Sequence, residues 1–191
     1  TAFVKERFEQ AIAEAKKCAE QTKEDVGLLP GVPISMKESF HVAGMKTTGG
    51  LLTRKNHIEK EDAEVVHRLK KEGAIILGKT NTPTLCFCQE TDNKLYGRTN
   101  NPWNLERTAG GSSGGEGALI AIGGAAVGVG SDIGGSIRFP AHFNGVVGFK
   151  SGAHQVSQEG HFLYIEDPYQ QEMLGMGALA KSVADAELIH R

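Results

Sequence analysis

The chain has 191 residues, 39% hydrophobic and 23% charged, a composition that excludes disorder as the default and leaves room for one substantial core. A formal net charge of −2, with no basic tract to offset it, gives no electrostatic reason to expect nucleic acid, so a small molecule is the expected partner. Cys18, Cys86 and Cys88 contain no CxxC pair and suggest neither a disulfide framework nor a zinc site, which fits a reducing compartment; no apolar run nears the ~20 residues of a spanning helix, the N-terminus lacks a signal-peptide pattern, and the chain as it stands is expected to be soluble.

From Phe3 to about Lys23, apolar residues recur at three- and four-residue steps between charges, which predicts an amphipathic helix with Cys18 on its buried side. After Gly27-Leu-Leu-Pro30, the run from Gly31 to Phe40, GVPISMKESF, predicts a short strand with Pro33 near its start and Lys37 near its end. Lysines are ordinarily solvated. The apolar neighbours Ile34, Met36 and Phe40 loosen that expectation for Lys37 without overturning it. Residues 41–56 predict a loop. Between Glu61 and Glu72 a helix is expected, acidic at its start, basic at its end and stopped by Gly73, and Ala74–Leu77 reads as a buried strand.

Residues 73–80, GAIILGKT, match the phosphate-loop pattern GxxxxGK[ST]. That reading fails because the motif interior is itself the strand and Asn81-Thr82-Pro83 stands where the phosphate-binding helix should open. Leu85, Cys86, Phe87 and Cys88 come next, then a polar turn, then the turn cluster Asn100–Asn104. The alternation of helix and strand predicts an α/β fold.

The stretch from Gly110 to Gly148 concentrates glycine, serine, one aspartate and one arginine around a short apolar core. A flexible Gly-Ser linker does not fit Gly110–Gly115, because Glu116–Ile122 is helix-compatible and Ala125–Val129 strand-like. Gly128, Gly130 and Gly134 miss the spacing of the dinucleotide fingerprint. Ser136, directly after two glycines at a strand-to-turn junction, can expose its hydroxyl beside aligned backbone N–H groups, a nucleophile with an oxyanion hole. The spacing is not GxSxG, and His142 is expected to pack or face solvent, so another base is required; a serine–lysine arrangement is one alternative.

The segments GVPISMKES, GGSSGGEGAL and GVGSDIGGSIRFPAHFNGVVGFK together resemble the amidase signature family of serine hydrolases, and GGSSGGEGA with DIGGSIRFP is most similar to its fatty-acid amide hydrolase branch. The resemblance runs from about Gly31 to Ser182 and implies a mixed β-sheet core flanked by helices, α/β/α, incomplete on the C-terminal side. It divides the chain into a helical lead-in over 1–30, a catalytic core over 31–150, and a loop with the start of a further helix over 151–191. It implies Lys37 as catalytic base, Ser112 as a bridging serine held by a cis peptide, and Ser136 as nucleophile. The amides of Ile133, Gly134, Gly135 and Ser136 would form the oxyanion hole, Ser113, Asp132 and Arg138 would support the site, and Leu85, Cys86, Phe87, Cys88 and Gln89 would line the acyl side. No cofactor or metal is implied.

The implied substrate is a small amide with an acyl chain, and the resemblance leaves room for a homodimer and for membrane contact by the whole protein. Gly177–Asp185 resembles the family's GPMARSVAD segment, with alanine for proline and lysine for arginine. The chain stops at Arg191 inside an expected helix, so a fragment is inferred. Two other readings stay open: a glutamine-dependent amidotransferase component, whose usual wording GGSSGGSA and DTGGSIR is opposed by Glu116 and Ile133, and a truncated remnant without catalysis.

Overall fold

The computed structural model describes residues 1–20, 27–162 and 164–191. Its first segment departs from the single helix expected over Phe3–Lys23. Phe3–Glu6 is a strand, β1, and helix α1 runs only over Phe8–Ala19, while residues 21–23 lie outside the described ones. The reason is tertiary: β1 pairs antiparallel with residues 78–80 at an open sheet edge, and Phe3 stacks on Phe8 with ring centroids 5.6 Å apart. Spacing alone cannot tell a short strand from an extra helical turn. Cys18 is half-buried rather than buried.

The predicted strand is β2, Pro33–Lys37, and the predicted helix is α2, Glu64–Lys71. Asp62, expected in the helix, lies before it and binds Lys70 at 2.7 Å. Strand β3 extends past the expected Leu77 and spans Ile75–Thr80, so the lysine of the phosphate-loop lookalike sits inside a strand. Its ammonium is buried and donates to the Lys46 carbonyl at 2.6 Å and Thr47 Oγ1 at 2.7 Å. Lys79 therefore fastens a loop.

A two-stranded ribbon, β4 (Asn100–Asn101) and β5 (Asn104–Thr108), leads to helix α3, Gly114–Ala121. Strand β6 (Val127–Asp132), helix α4 (Arg138–Asn144) and strand β7 (Val147–Gly148) follow. The region expected to be a loop holds a short helix, α5 (Pro168–Met173), and a sixth sheet strand, β8 (Gly175–Ala180), before α6 (Val183–His190). Small, uniformly apolar residues gave β8 no alternation to read, because it is buried on both faces.

The sheet order is β1-β3-β2-β6-β8-β7, with β3, β2 and β6 parallel in the middle and the outer pairings antiparallel. One face carries Ile34, Met36, Ile76, Val129 and Met176 against Val66 and Leu69 of α2, while Ala186 of α6 packs on Val127, Ala178 and Ala180. On the other face Leu179 meets Leu119 and Ile120 of α3, Ile137 just before α4 and Ala141 of α4. This is the expected α/β/α layering around a mixed sheet. No helix of the described residues is long and apolar enough to cross a membrane.

What matters for the site is one edge. The parallel strands β2, β3 and β6 end side by side, at Lys37, Thr80 and Asp132, so the loops leaving them converge. In open α/β sheets such a carboxyl edge is where ligands bind.

Candidate active site

Strand alternation aims the first group. Ser35 and Lys37 of β2 face α3, whereas Ile34 and Met36 enter the core under α2. Lys37 is 0% exposed, with Nζ 2.6 Å from Ser112 Oγ, 3.0 Å from Ser131 Oγ and 3.4 Å from the Ser131 carbonyl. Burial lowers its pKa, which favours the neutral amine, while Cys86, Asp132 and Glu116 act in the opposite sense.

The turn before α3 presents the serines. Thr91 Oγ1 donates to the Gly110 carbonyl at 2.9 Å, Thr82 Oγ1 donates to the Ser112 carbonyl at 2.9 Å, and the Gly111–Ser112 peptide is cis. The Ser113 N–H donates to the Ser136 carbonyl at 3.0 Å, which ties this turn to the one after β6. Ser112 and Ser113 are buried and Ser136 is half-buried. The Ser136 hydroxyl makes no hydrogen bond among the described residues. Lys37 and Ser112 are thus in contact, and the Ser112–Ser136 leg is not formed as a hydrogen bond.

Asp132 organises the second turn. It accepts from the N–H groups of Gly135 at 2.7 Å, Ile137 at 3.0 Å and Arg138 at 3.3 Å, and from the Arg138 guanidinium at 3.0 and 2.8 Å. Burial pushes the Asp132 carboxyl up, but the guanidinium and these N–H groups outweigh it and hold the pKa at about 2. One of the four amides that the resemblance implies for an oxyanion hole thus has a partner within the protein. The Gly135 N–H is committed to Asp132, leaving those of Ile133, Gly134 and Ser136 without an acceptor among the described residues. Gly135 has φ +112°, and a Cβ there would run into the Phe139 ring, whereas a Cβ on Gly134 meets nothing within 4 Å.

A cavity of about 650 Å³ opens over these turns. All of Leu85–Gln89 line it, together with Ser112, Ser131, Ile133, Gly134, Ser136 and Leu174. Leu85 and Cys86 have φ of 58° and 55°, a conformation that bulky side chains rarely adopt and that is found more often at functional sites. His142 is exposed on α4 and lines no part of the cavity, as its sequence reading anticipated. Among the described residues no cluster suited to a metal is present.

Three residues of this neighbourhood were not singled out in the sequence as site members. Ser131 stood one place before Asp132 in a strand with no visible face. His161 lies in the long loop after β7, where spacing carries no information about contact. Its Nε2 is 3.0 Å from Ser39 Oγ and 2.9 Å from Ser131 Oγ, and burial, then the nearby Lys37 and His41, lowers its pKa to about 3. Glu116 did carry a signal, as a lone charge in the apolar run that became α3, every residue of which is buried.

The Glu116 carboxyl accepts from Ser35 Oγ at 2.5 Å and Thr80 Oγ1 at 2.7 Å, across a space that exists because Gly128 has no Cβ. Burial raises its pKa to about 7, against the hydroxyl hydrogen bonds and Lys37, which lower it. Between the unfolded value near 4.5 and about 7, the folded protein holds a proton that the unfolded chain has lost, so stability falls as pH rises through that window. Glu116→Gln keeps a neutral hydrogen-bonding group and removes this fall, on the order of 3 kcal/mol over the interval. Urea unfolding of both proteins from pH 5 to pH 8 checks it. Parallel stability curves would mean that Glu116 is ionised in the fold.

The whole chain, residues 1–191, matches the family model described as Amidase. It is 45% identical over 193 aligned residues to fatty-acid amide hydrolase 2-B of Danio rerio, covering 96% of this chain and 36% of that protein. It is 43% identical over 164 residues to a glutamyl-tRNA(Gln) amidotransferase component of Sulfolobus acidocaldarius, covering 86% and 33%. Among solved structures, one described as fatty acid amide hydrolase superposes with a TM-score of 0.90 at 33% identity, covering 98% of this chain and 33% of that one. The chain spans about a third of the length of the curated relatives it matches.

Proposed function

The chain belongs to the Amidase family, and on that premise we propose that it carries the catalytic core of an amide hydrolase working through Lys37, Ser112 and Ser136. The observation that carries this reading is a fully buried lysine within 2.6 Å of a serine hydroxyl that opens on the same cavity as Ser136. Neutral Lys37 accepts the proton of Ser112 as Ser112 accepts that of Ser136, since a hydroxyl can donate and accept at once. Ser136 Oγ then bonds to the amide carbon. The resulting oxyanion takes hydrogen bonds from the free amides of Ile133, Gly134 and Ser136, each worth on the order of 3 kcal/mol in the transition state.

The proton returns along the same route to the nitrogen, the C–N bond breaks and the amine leaves neutral. Water adds to the acyl carbon, gives its proton to the relay, and the carboxylic acid departs as Ser136 regains its hydrogen. Asp132 holds the second turn in shape, with Arg138 as its counter-charge.

For the substrate we propose a long-chain acyl amide. Leu85, Phe87, Ile133, Ile165 and Leu174 give the cavity an apolar wall suited to an alkyl chain, and Glu116 and Ile133 depart from the wording usual in amidotransferase components. The test is a hydrolysis panel on the whole protein, comparing long-chain acyl amides with short ones and with glutamine. Long-chain amides are expected to show the highest kcat/KM. Ammonia release confined to glutamine would replace this reading with the amidotransferase one.

A further inference from the structure

We propose that His161 is a positioning residue of the relay: its Nε2 accepts the Ser131 proton, so that Ser131 faces Lys37 only as an acceptor and the amine lone pair is left to Ser112. The inference rests on the serine–lysine reading above. A neutral amine has one lone pair, and two hydroxyls lie within reach of it, Ser112 at 2.6 Å and Ser131 at 3.0 Å. Only a proton from Ser112 leads toward Ser136. If Ser131 donated to the same lone pair, the base would be occupied unproductively.

Ser39 Oγ and Ser131 Oγ both approach Nε2, at 3.0 and 2.9 Å. With Nε2 bare, its one lone pair can take the Ser131 proton, whereas an Nε2–H would donate to a hydroxyl instead and leave the Ser131 proton free to turn toward Lys37. The ring is 4% exposed and packs edge-on to Phe40 with centroids 5.0 Å apart, which holds its plane. The other nitrogen, Nδ1, is buried without a partner among the described residues.

Lys37 is faced by Cys86 from the turn after β3, Asp132 from the end of β6 and Glu116 from α3, and His161 by Lys37 and His41. With its pKa lowered to about 3, His161 stays neutral across the working range, so its acceptor role does not change where Lys37 titrates.

The experiment is the rate of fluorophosphonate labelling of the whole protein against pH, with the folded state followed by thermal unfolding. His161→Phe keeps the ring packing and removes the acceptor. It should lower the high-pH plateau about tenfold, the scale of one net hydrogen bond, and move the acid limb to lower pH, because Ser131 then favours the neutral amine. Ser131→Ala added to His161→Phe should cause no further loss, and His161→Gln, whose amide oxygen can accept, should regain most of the rate. The ¹⁵N shifts of the His161 ring in the unaltered protein should report the Nδ1–H tautomer, a readout independent of whether any variant folds. An Nε2–H tautomer, an unchanged profile in folded His161→Phe, or multiplicative losses in the double variant would overturn the inference alone. Absence of Ser136 labelling in the unaltered protein would overturn the serine–lysine reading, and this inference with it.

Discussion

Ser136→Ala is expected to abolish fluorophosphonate labelling and to lower amide hydrolysis by at least about 10⁴-fold, because in the proposed mechanism the nucleophile acts as a unit with its base and its loss leaves only binding and the oxyanion hole. The structure makes this a clean substitution. Ser136 is half-buried, its hydroxyl bonds to no described residue, and its contact with the Ser113 N–H is made through the backbone carbonyl, which alanine retains. The thermal midpoint should therefore stay close to that of the unaltered protein, and heat-unfolded protein should not label. Mass mapping of the labelled peptide checks the position. Labelling that survives Ser136→Ala would sink the assignment of Ser136 as nucleophile.

Lys37→Met is expected to move activity and stability in opposite directions. General-base catalysis contributes roughly 10²–10⁴-fold, and the loss should fall at the upper end near neutral pH, where hydroxide cannot substitute for the base. In the unaltered protein the rate should rise with pH as Lys37 gives up its proton, along a limb set by its lowered pKa. That limb should vanish in the variant. An unchanged profile would remove lysine as the base.

The stability sign follows from the same burial. The unfolded chain keeps the lysine protonated up to its ordinary value of 10.5, while the folded protein favours the neutral form at lower pH, so between the two values stability rises with pH. At pH 7 the buried amine is therefore a cost that methionine, similar in length and apolar, does not carry. Lys37→Met should melt higher than the unaltered protein at pH 7, with the gap closing toward pH 10. A protein that kept so destabilising a group without using it would contradict the usual trade between activity and stability.

Much of the site was legible because its chemistry lies in short runs. Residues 110–115 and 131–138 each build a turn within a few residues, and Asp132 reaches the N–H groups three, five and six positions ahead of it. Apart from the family resemblance, Lys37 was visible only as a lysine among apolar neighbours. The register that sets Met36 beside Val129 is what brings the end of β2 against residues 112 and 131. Gly135 shows the opposite case. Its place in the motif suggested a free amide, and the fold instead gives that amide to Asp132.

By itself the sequence determined the α/β class, the two serine turns as short motifs, and the exclusion of a phosphate loop, since each depends on residues within reach of one another along the chain. The tertiary structure alone decided that residues 3–6 extend the sheet, that residues 175–180 complete its buried side, and that His161 sits 2.9 Å from Ser131 across 30 positions of sequence. The physical reason is that strand pairing and buried hydrogen bonds are closed by partners distant in sequence, and no local period records which partner an edge or a ring nitrogen will meet.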